Sequence, residues 1–273
     1  MKTVKEMFDF DKKTYIMGIL NVTPDSFSDG DSWNNINSAI NHAEEMIRQG
    51  ADIIDVGGES TRPGYTMISD EEEIQRTIPY IRALKERFDV PVSIDTYKPA
   101  VAEAALKNGV DIINDIWGLQ RDPEMATVVA KYNAPVIVMH NQNTTEYDGD
   151  IIGEIKRFLN KSIEIATSHG VGRENIILDP GIGFGKTPEQ NLQVMRRLSE
   201  LKVIGLPILL GTSRKSTIGK ILNLPPKERV EGTLATSVIG IMQGMNILRV
   251  HDVKENYRAA KVTDAILKGK IDG

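Results

Sequence analysis

The stretch VPVSIDTYKPAVAEAALKNGVDIIND, Val90 to Asp115, decides the fold. It opens with an apolar run, VPVSID, and closes with another, VDIIND. Between them Pro99–Lys107 reads as a helix, with proline in its first turn and Asn108-Gly109 just past its end. Short runs rich in Val and Ile are the mark of parallel strands covered on both faces. The unit is therefore strand, polar turn, helix, strand.

The same unit repeats in both directions. The other runs are YIMGIL (Tyr15 to Leu20), DIIDV (Asp52 to Val56), APVIVMH (Ala134 to His140), NIILD (Asn175 to Asp179), LPILLGT (Leu206 to Thr212) and NILRVHD (Asn246 to Asp252). The remaining helical stretches are Ile36–Gln49, Ser69–Arg87, Pro123–Tyr132, Ile151–His169, Pro188–Leu201, Lys227–Gln243 and Lys254–Lys268. Eight strands alternating with eight helices predict a (β/α)8 TIM barrel, α/β in class. The competing doubly wound sheet commonly carries GxGxxG after its first strand, and NVTPDSFSDG, which stands there, does not match it. The 273 residues suit one domain, since such barrels take roughly 250. Residues 1–14 then form an extension that caps the barrel bottom or makes a short hairpin.

Composition narrows the function. A net charge of -5 argues against a nucleic-acid partner. With no cysteine, disulfides, thiolate metal sites and cysteine nucleophiles are excluded. The N-terminus has no apolar run of a secretory signal, and no stretch approaches the roughly 18 apolar residues of a membrane span. These features predict a cytoplasmic protein without a membrane partner.

In a barrel the active site lies at the C-terminal strand ends. The first run delivers Asn21 and a long polar loop containing Phe27; a solvated turn explains that loop equally. The second delivers Glu59, Thr61, Arg62 and Pro63 among glycines, where Glu59 and Arg62 can also simply pair. The third and fourth end in Asp95 and Asn114-Asp115, each able to serve instead as a helix cap. The fifth ends in Met139, suited to the apolar wall of a flat pocket, and His140, which reads equally as structural. The sixth ends in Asp179, then a glycine-rich loop with Gly183, Phe184 and Lys186. The seventh supplies Ser213, Arg214, Lys215 and Ser216, hydroxyls and cations at a helix start. The eighth supplies Arg249 and His251, on one side of a strand by their spacing. Carboxylates and amides thus gather on strands three, four and six, fitting a heterocycle rich in N–H donors. Cations and hydroxyls gather on strands seven, eight and two, fitting an anion such as phosphate. Asn21 and nearby acids can hold hydrated Mg²⁺ against a diphosphate. The four histidines form no HxH or HExxH pair, so zinc is not expected.

The loops taken together resemble one family, the dihydropteroate synthases. The resemblance is carried by GILNVTPDSFSDG (Gly18 to Gly30), DVGGESTRPG (Asp55 to Gly64), SIDTYKP (Ser93 to Pro99), IINDI (Ile112 to Ile116), LDPGIGFGKT (Leu178 to Thr187), GTSRKS (Gly211 to Ser216) and RVHDV (Arg249 to Val253). These motifs span nearly the whole chain in order. One departure is Asp31, where another glycine is expected after DSFSDG.

The resemblance implies that 4-aminobenzoate displaces diphosphate from (7,8-dihydropterin-6-yl)methyl diphosphate in folate biosynthesis, by SN1-like loss of diphosphate. It implies that Asp179 and Asn114 accept from the pterin N–H groups, that Lys215 donates to the pterin carbonyl and ring nitrogen, and that Asp95 stabilises charge spreading into the ring. Arg249, His251 and Asn21 would hold the diphosphate with Mg²⁺. Phe27, Thr61, Pro63 and Phe184 would shape the 4-aminobenzoate slot, where sulfonamides compete in this family, with Ser216 near the carboxylate. Arg62, Met139 and Gly183 complete the substrate-binding set. A homodimer through late helices is also implied. The alternatives are a pterin-dependent methyltransferase, which needs no diphosphate clamp, and a non-catalytic pterin-binding paralogue, which should have lost the clamp residues.

Overall fold

The computed structural model describes residues 1–23, 32–59 and 67–271. The strands are β1 (Tyr15–Asn21), β2 (Ile53–Gly57), β3 (Val92–Asp95), β4 (Ile112–Asp115), β5 (Val136–Met139), β6 (Ile176–Asp179), β7 (Leu209–Leu210) and β8 (Ile247–Val250). All pair in parallel, in the order β6-β5-β4-β3-β2-β1-β8-β7. A bridge between Leu178 and Ile208 brings the two ends of that order together, closing the (β/α)8 barrel.

Alternation along the strands explains where polarity appears. Met17, Ile53, Ile112, Ile137, Ile177, Leu209 and Ile247 form one inward cluster that fills the lower barrel. Side chains two residues further along a strand face the same way, about 7 Å higher. Those positions are Ile19, Asp55, Asn114, Met139, Asp179 and Arg249. The interior therefore changes from apolar to polar within a single step of the pleat. Intervening residues such as Ile16, Leu20, Ile54, Val56, Ile94, Ile113 and Val138 face outward and pack into the main core under the helices.

The helices are α1 (Val4–Met7), α2 (Ser32–Arg48), α3 (Asp70–Arg87), α4 (Pro99–Lys107), α5 (Glu124–Tyr132), α6 (Ile151–Ser168), α7 (Pro188–Arg196), α8 (Ser216–Leu222), α9 (Val230–Met242) and α10 (Val253–Lys268). Local chemistry sets several starts. The Ser69 side chain accepts from Glu72 N–H at the head of α3, and Thr187 and Gln190 form a capping box around Pro188 at the head of α7.

The structure differs from expectation in four places. The helix expected from Ile36 begins at Ser32, because three of its first four residues, Ser32, Asn34 and Asn35, are polar and add nothing to the apolar periodicity. The segment expected as one helix from Pro188 to Leu201 stops at Arg196 and continues as a 3-10 turn over Leu198–Ile204. The seventh crossover holds two helices, α8 and α9, because Pro225 and Pro226 interrupt it. β7 keeps only two residues of its apolar run.

The N-terminal segment is a cap rather than a hairpin. α1 is held by a capping box between Thr3 and Glu6. Val4 and Phe8 join the inward cluster, and Phe8 meets the Tyr15 ring edge-on at 4.9 Å. This end is apolar and filled, so the opposite rim is where a ligand can enter.

Candidate active site

Strand register brings three predicted groups, Asn21, Asp95 and Asn114, to one height. Asn21 pairs with Gly57, Gly57 with Asp95, and Asp95 with Asn114. Across the barrel Met139 pairs with Asp179. Asp95, Asn114 and Asp179 all stand at the C-terminal ends of their strands, on one rim of the barrel, and all three are almost wholly buried.

Each acid is committed differently. Asp179 Oδ1 accepts from Gly181 N–H at 2.7 Å. Burial raises the Asp179 carboxyl above its ordinary pKa, with Lys215 pulling the other way. Asp95 Oδ2 accepts from Arg249 at 2.6 Å, while Oδ1 is buried with no partner among the described residues. Burial pushes the Asp95 carboxyl up to about 7, against the opposing pull of Arg249. A buried carboxylate oxygen left unbonded is costly, so this atom has unused capacity to accept a hydrogen bond. Asp115 is the structural member of its pair. Its oxygens accept from Trp117 N–H at 2.8 Å and Leu119 N–H at 2.7 Å, closing the turn after β4.

The cations do not stand apart on their own side, as the sequence suggested. Arg249 reaches across the barrel and binds two carboxylates, donating through Nε to Asp55 at 2.6 Å and through a terminal nitrogen to Asp95 at 2.6 Å. Burial alone would favour its neutral form, but Asp55 and Asp95 outweigh it and hold the guanidinium charged. Asp55 was not singled out from the sequence. The available signal was a lone acid inside the apolar run DIIDV. Just past the C-terminal end of β8 stands His251, whose backbone N–H donates to Ser213 Oγ at 3.1 Å and whose Nδ1 shares a hydrogen bond with that hydroxyl at 2.9 Å. Arg214, at a left-handed φ of 58°, turns away to pair with Asp252 at 3.0 Å.

Lys215 lies against the glycine-rich loop. Its Nζ donates to the Ile182 carbonyl and sits 4.8 Å from the centre of the Phe184 ring. Burial lowers the Lys215 ammonium to about 8, resisted by Asp179. Gly183 has φ 86°, and a Cβ there would stand 2.9 Å from the Lys215 side chain. Phe184 packs on the cluster of Tyr97, Ile116 and Met139, with Trp117 beside it. These rings and methionine make a flat apolar wall next to Asp179. Ser216 is exposed in the first turn of α8, and Asn21 is partly exposed at the end of β1.

Two further charged clusters support the rim. The Lys186 Nζ donates to His140 Nδ1 at 2.8 Å, to the Gly181 carbonyl at 2.9 Å and to the Phe184 carbonyl at 3.0 Å. His140 is therefore a buried structural group. Lys98 Nζ donates to Glu59 and Glu73, each at 2.7 Å, and Tyr97 Oη donates to Glu59 at 2.6 Å. Glu59 thus has Lys98 as its cation. Thr61, Arg62, Pro63 and Phe27 lie outside the described residues.

Comparison with known proteins bears on this rim directly. A family model described as pterin binding enzyme matches residues 17–251. A dihydropteroate synthase of Clostridium beijerinckii is 60% identical over 98% of this chain and 100% of its own length. A crystal structure of a Clostridium difficile dihydropteroate synthase, determined in the presence of pteroic acid, superposes with a TM-score of 0.93 at 61% identity. It covers 95% of this chain and 98% of that one. A Yersinia pestis dihydropteroate synthase described as a sulfonamide drug complex reaches a TM-score of 0.90 at 45% identity, covering 96% of each chain.

Proposed function

This chain belongs to the pterin-binding enzymes and, within them, to the dihydropteroate synthases, and from that premise we propose how its rim residues divide the work of the reaction. It is a transferase of folate biosynthesis. The substrates are (7,8-dihydropterin-6-yl)methyl diphosphate and 4-aminobenzoate, and the products are 7,8-dihydropteroate and diphosphate. In the reaction the exocyclic C–O bond breaks, its electron pair leaves with the diphosphate, and the arylamine nitrogen forms the new C–N bond with loss of a proton.

The orphaned Asp95 Oδ1 carries the reading. As diphosphate departs, positive charge spreads into the pterin ring, and a fixed carboxylate beside that ring lowers the barrier. Asp179 and Asn114 accept from pterin N–H groups, Lys215 donates to its carbonyl and ring nitrogen, and Met139 and Phe184 flank its faces. Arg249 and His251 take the diphosphate. With departure preceding attack, no protein nucleophile is required.

Mg²⁺ belongs to the same proposal. Among the described residues no cluster of three or more acids and histidines could hold a metal ion. Asn21, at the end of β1, would be the protein residue that holds the ion, through its amide oxygen, beside the diphosphate. When bound, the ion offsets charge on the leaving group.

4-Aminobenzoate would sit in a slot shaped by Phe27, Thr61, Arg62, Pro63 and Phe184, with Ser216 near its carboxylate and Gly183 giving close approach. Sulfonamides would compete there. Substitution at Phe27 or Pro63 should change inhibitor affinity more than diphosphate affinity, and equal losses of both would overturn the slot. A cytoplasmic homodimer completes the reading. Its support is that Ile239 and Met242 on α9, and Val262 and Ile266 on α10, are large apolar residues left exposed on two helices packed together. The deciding measurement is turnover of 4-aminobenzoate with the pterin diphosphate and Mg²⁺, followed by diphosphate release. Pterin binding without product would favour a methyltransferase or a non-catalytic paralogue.

A further inference from the structure

Asp55 has no exposed surface and lies below the rim, on the inward face of β2. It cannot touch a ligand, yet it is bonded to two residues that can. Its Oδ2 accepts from Arg249 Nε at 2.6 Å and from Asn114 Nδ2 at 3.3 Å. Its Oδ1 accepts from the Ser93 hydroxyl at 2.5 Å. Asp55 thus ties β2, β3, β4 and β8 together beneath the opening.

The chemistry of these bonds has a directional consequence. An amide can present either a donor or an acceptor, and crystallographic shape alone does not distinguish its two ends. An ionised carboxylate only accepts, so the Asn114 end facing Asp55 must be the NH₂ group. The carbonyl oxygen is then the end offered to a ligand. In the same way Asp55 takes the Nε end of the Arg249 fork and Asp95 takes one terminal nitrogen, which fixes the plane of the guanidinium and leaves its other N–H groups for an anion.

We propose that Asp55 is a positioning residue for the transfer reaction, holding the Asn114 amide as an acceptor for a ligand N–H and holding the Arg249 guanidinium in its anion-binding orientation. This rests on the assignment of Asn114 and Arg249 to the pterin and the diphosphate. Asp55→Asn is the informative variant. Its side chain can donate as well as accept, so the amide of Asn114 is free to turn over and Arg249 keeps only Asp95 as an anionic partner. Ser93→Ala, which loosens Asp55 from the other side, is a milder companion.

The test uses the full chain and three measurements. Affinity for a dihydropterin lacking the diphosphate is measured by calorimetry, KM and kcat in steady state, and kcat against pH. Asp55→Asn should weaken dihydropterin binding and raise KM for the pterin diphosphate by about tenfold or more, the loss expected for one hydrogen bond to a charged or oriented partner. KM for 4-aminobenzoate should stay within about twofold, and Ser93→Ala should move the same quantities by a smaller factor. The acid limb of kcat should shift to lower pH. Asp95 is faced by Arg249 and Lys215 as cations and by Asp55, Glu73 and Asp115 as acids, and removing one acid favours its ionised form.

A purely structural role would lower the active fraction, with KM, dihydropterin affinity and pH profile unchanged, and that result overturns the proposal. If Asp55→Asn does not fold, unchanged binding in Ser93→Ala overturns it equally. The wild-type protein separates this from the functional reading. Absence of product in the wild type refutes the reaction, whereas the ratio of variant to wild-type dihydropterin affinity reports on Asp55 alone.

Discussion

Lys186 Nζ donates to His140 Nδ1 at 2.8 Å, so the imidazole is neutral and carries its proton on Nε2. Burial, reinforced by the Lys186 charge, lowers His140 from 6.5 to about 3. Between those values the unfolded chain binds more protons than the folded one, so this site adds stability above pH 6.5 and loses it as pH falls toward 3. Replacing His140 with Asn keeps a side-chain acceptor and removes the titration. The stability difference between wild type and His140→Asn, from urea midpoints, should shrink by about 2–4 kcal/mol between pH 6.5 and the acid end of the range. A constant difference would show that His140 does not titrate in this way.

Lys186 gathers the two carbonyls of the loop that carries Phe184. In Lys186→Met those carbonyls and His140 Nδ1 lose a buried donor, at a cost of about 2–5 kcal/mol. Affinity for the pterin diphosphate should fall along with stability, because Phe184 and Lys215 depend on the same loop. Chemical denaturation and KM, measured on one preparation, check both.

Asp95 must be ionised to stabilise a cation. Its carboxyl is raised by burial to about 7, so kcat should decline as pH drops through neutrality instead of near the ordinary carboxylate value of about 4. Asp95→Asn keeps the shape and removes the charge. We expect kcat to fall about 10²–10³-fold and the acid limb to disappear. A limb that persists in the variant would belong to another group.

Asp179→Ala should act on binding. Loss of a charged acceptor for the pterin N–H groups is worth about 1.5–3 kcal/mol, or about 10- to 100-fold in dihydropterin affinity. Affinity for inorganic diphosphate with Mg²⁺ should change little. A parallel loss of both would indicate collapse of the rim.

Phe8→Ala tests the opposite end of the barrel. Phe8 is buried against Tyr15 and the lower cluster, far along the strands from Asp95 and Asp179. The variant should lose about 2–4 kcal/mol of stability while retaining KM and kcat at low temperature. Altered KM would mean that the floor and the rim are mechanically linked.

The barrel was legible in the sequence because its strands are short apolar runs at regular intervals, each ending in a polar residue. α4 was predicted to the residue, because Pro99 and Asn108-Gly109 mark both its ends. A helix start was expected at GTSRKS, but α8 was given no range of its own, since seven residues are too few for a periodic signal. The residues at the rim could be named from their strand ends, but their partners could not. Glu59 meets Lys98, distant by 39 positions, and Arg249 meets Asp55, distant by 194. Such pairs form only when the barrel closes, and no local pattern records them. The acidic and cationic halves read from the sequence are joined in the fold by Arg249.

The two-residue length of β7 has a consequence for how the molecule breathes. Elsewhere around the barrel adjacent strands share a ladder, but β6 meets the seventh strand segment through the single Leu178–Ile208 bridge. Asp179 stands on one bank of that seam, and the segment after β7 carries Lys215 on the other. A pterin gripped by both would fasten the weakest joint in the ring. Amide hydrogens around Leu178 and Ile208 should therefore exchange faster than those of β1 and β2 in the empty protein, and slow the most when the pterin is bound.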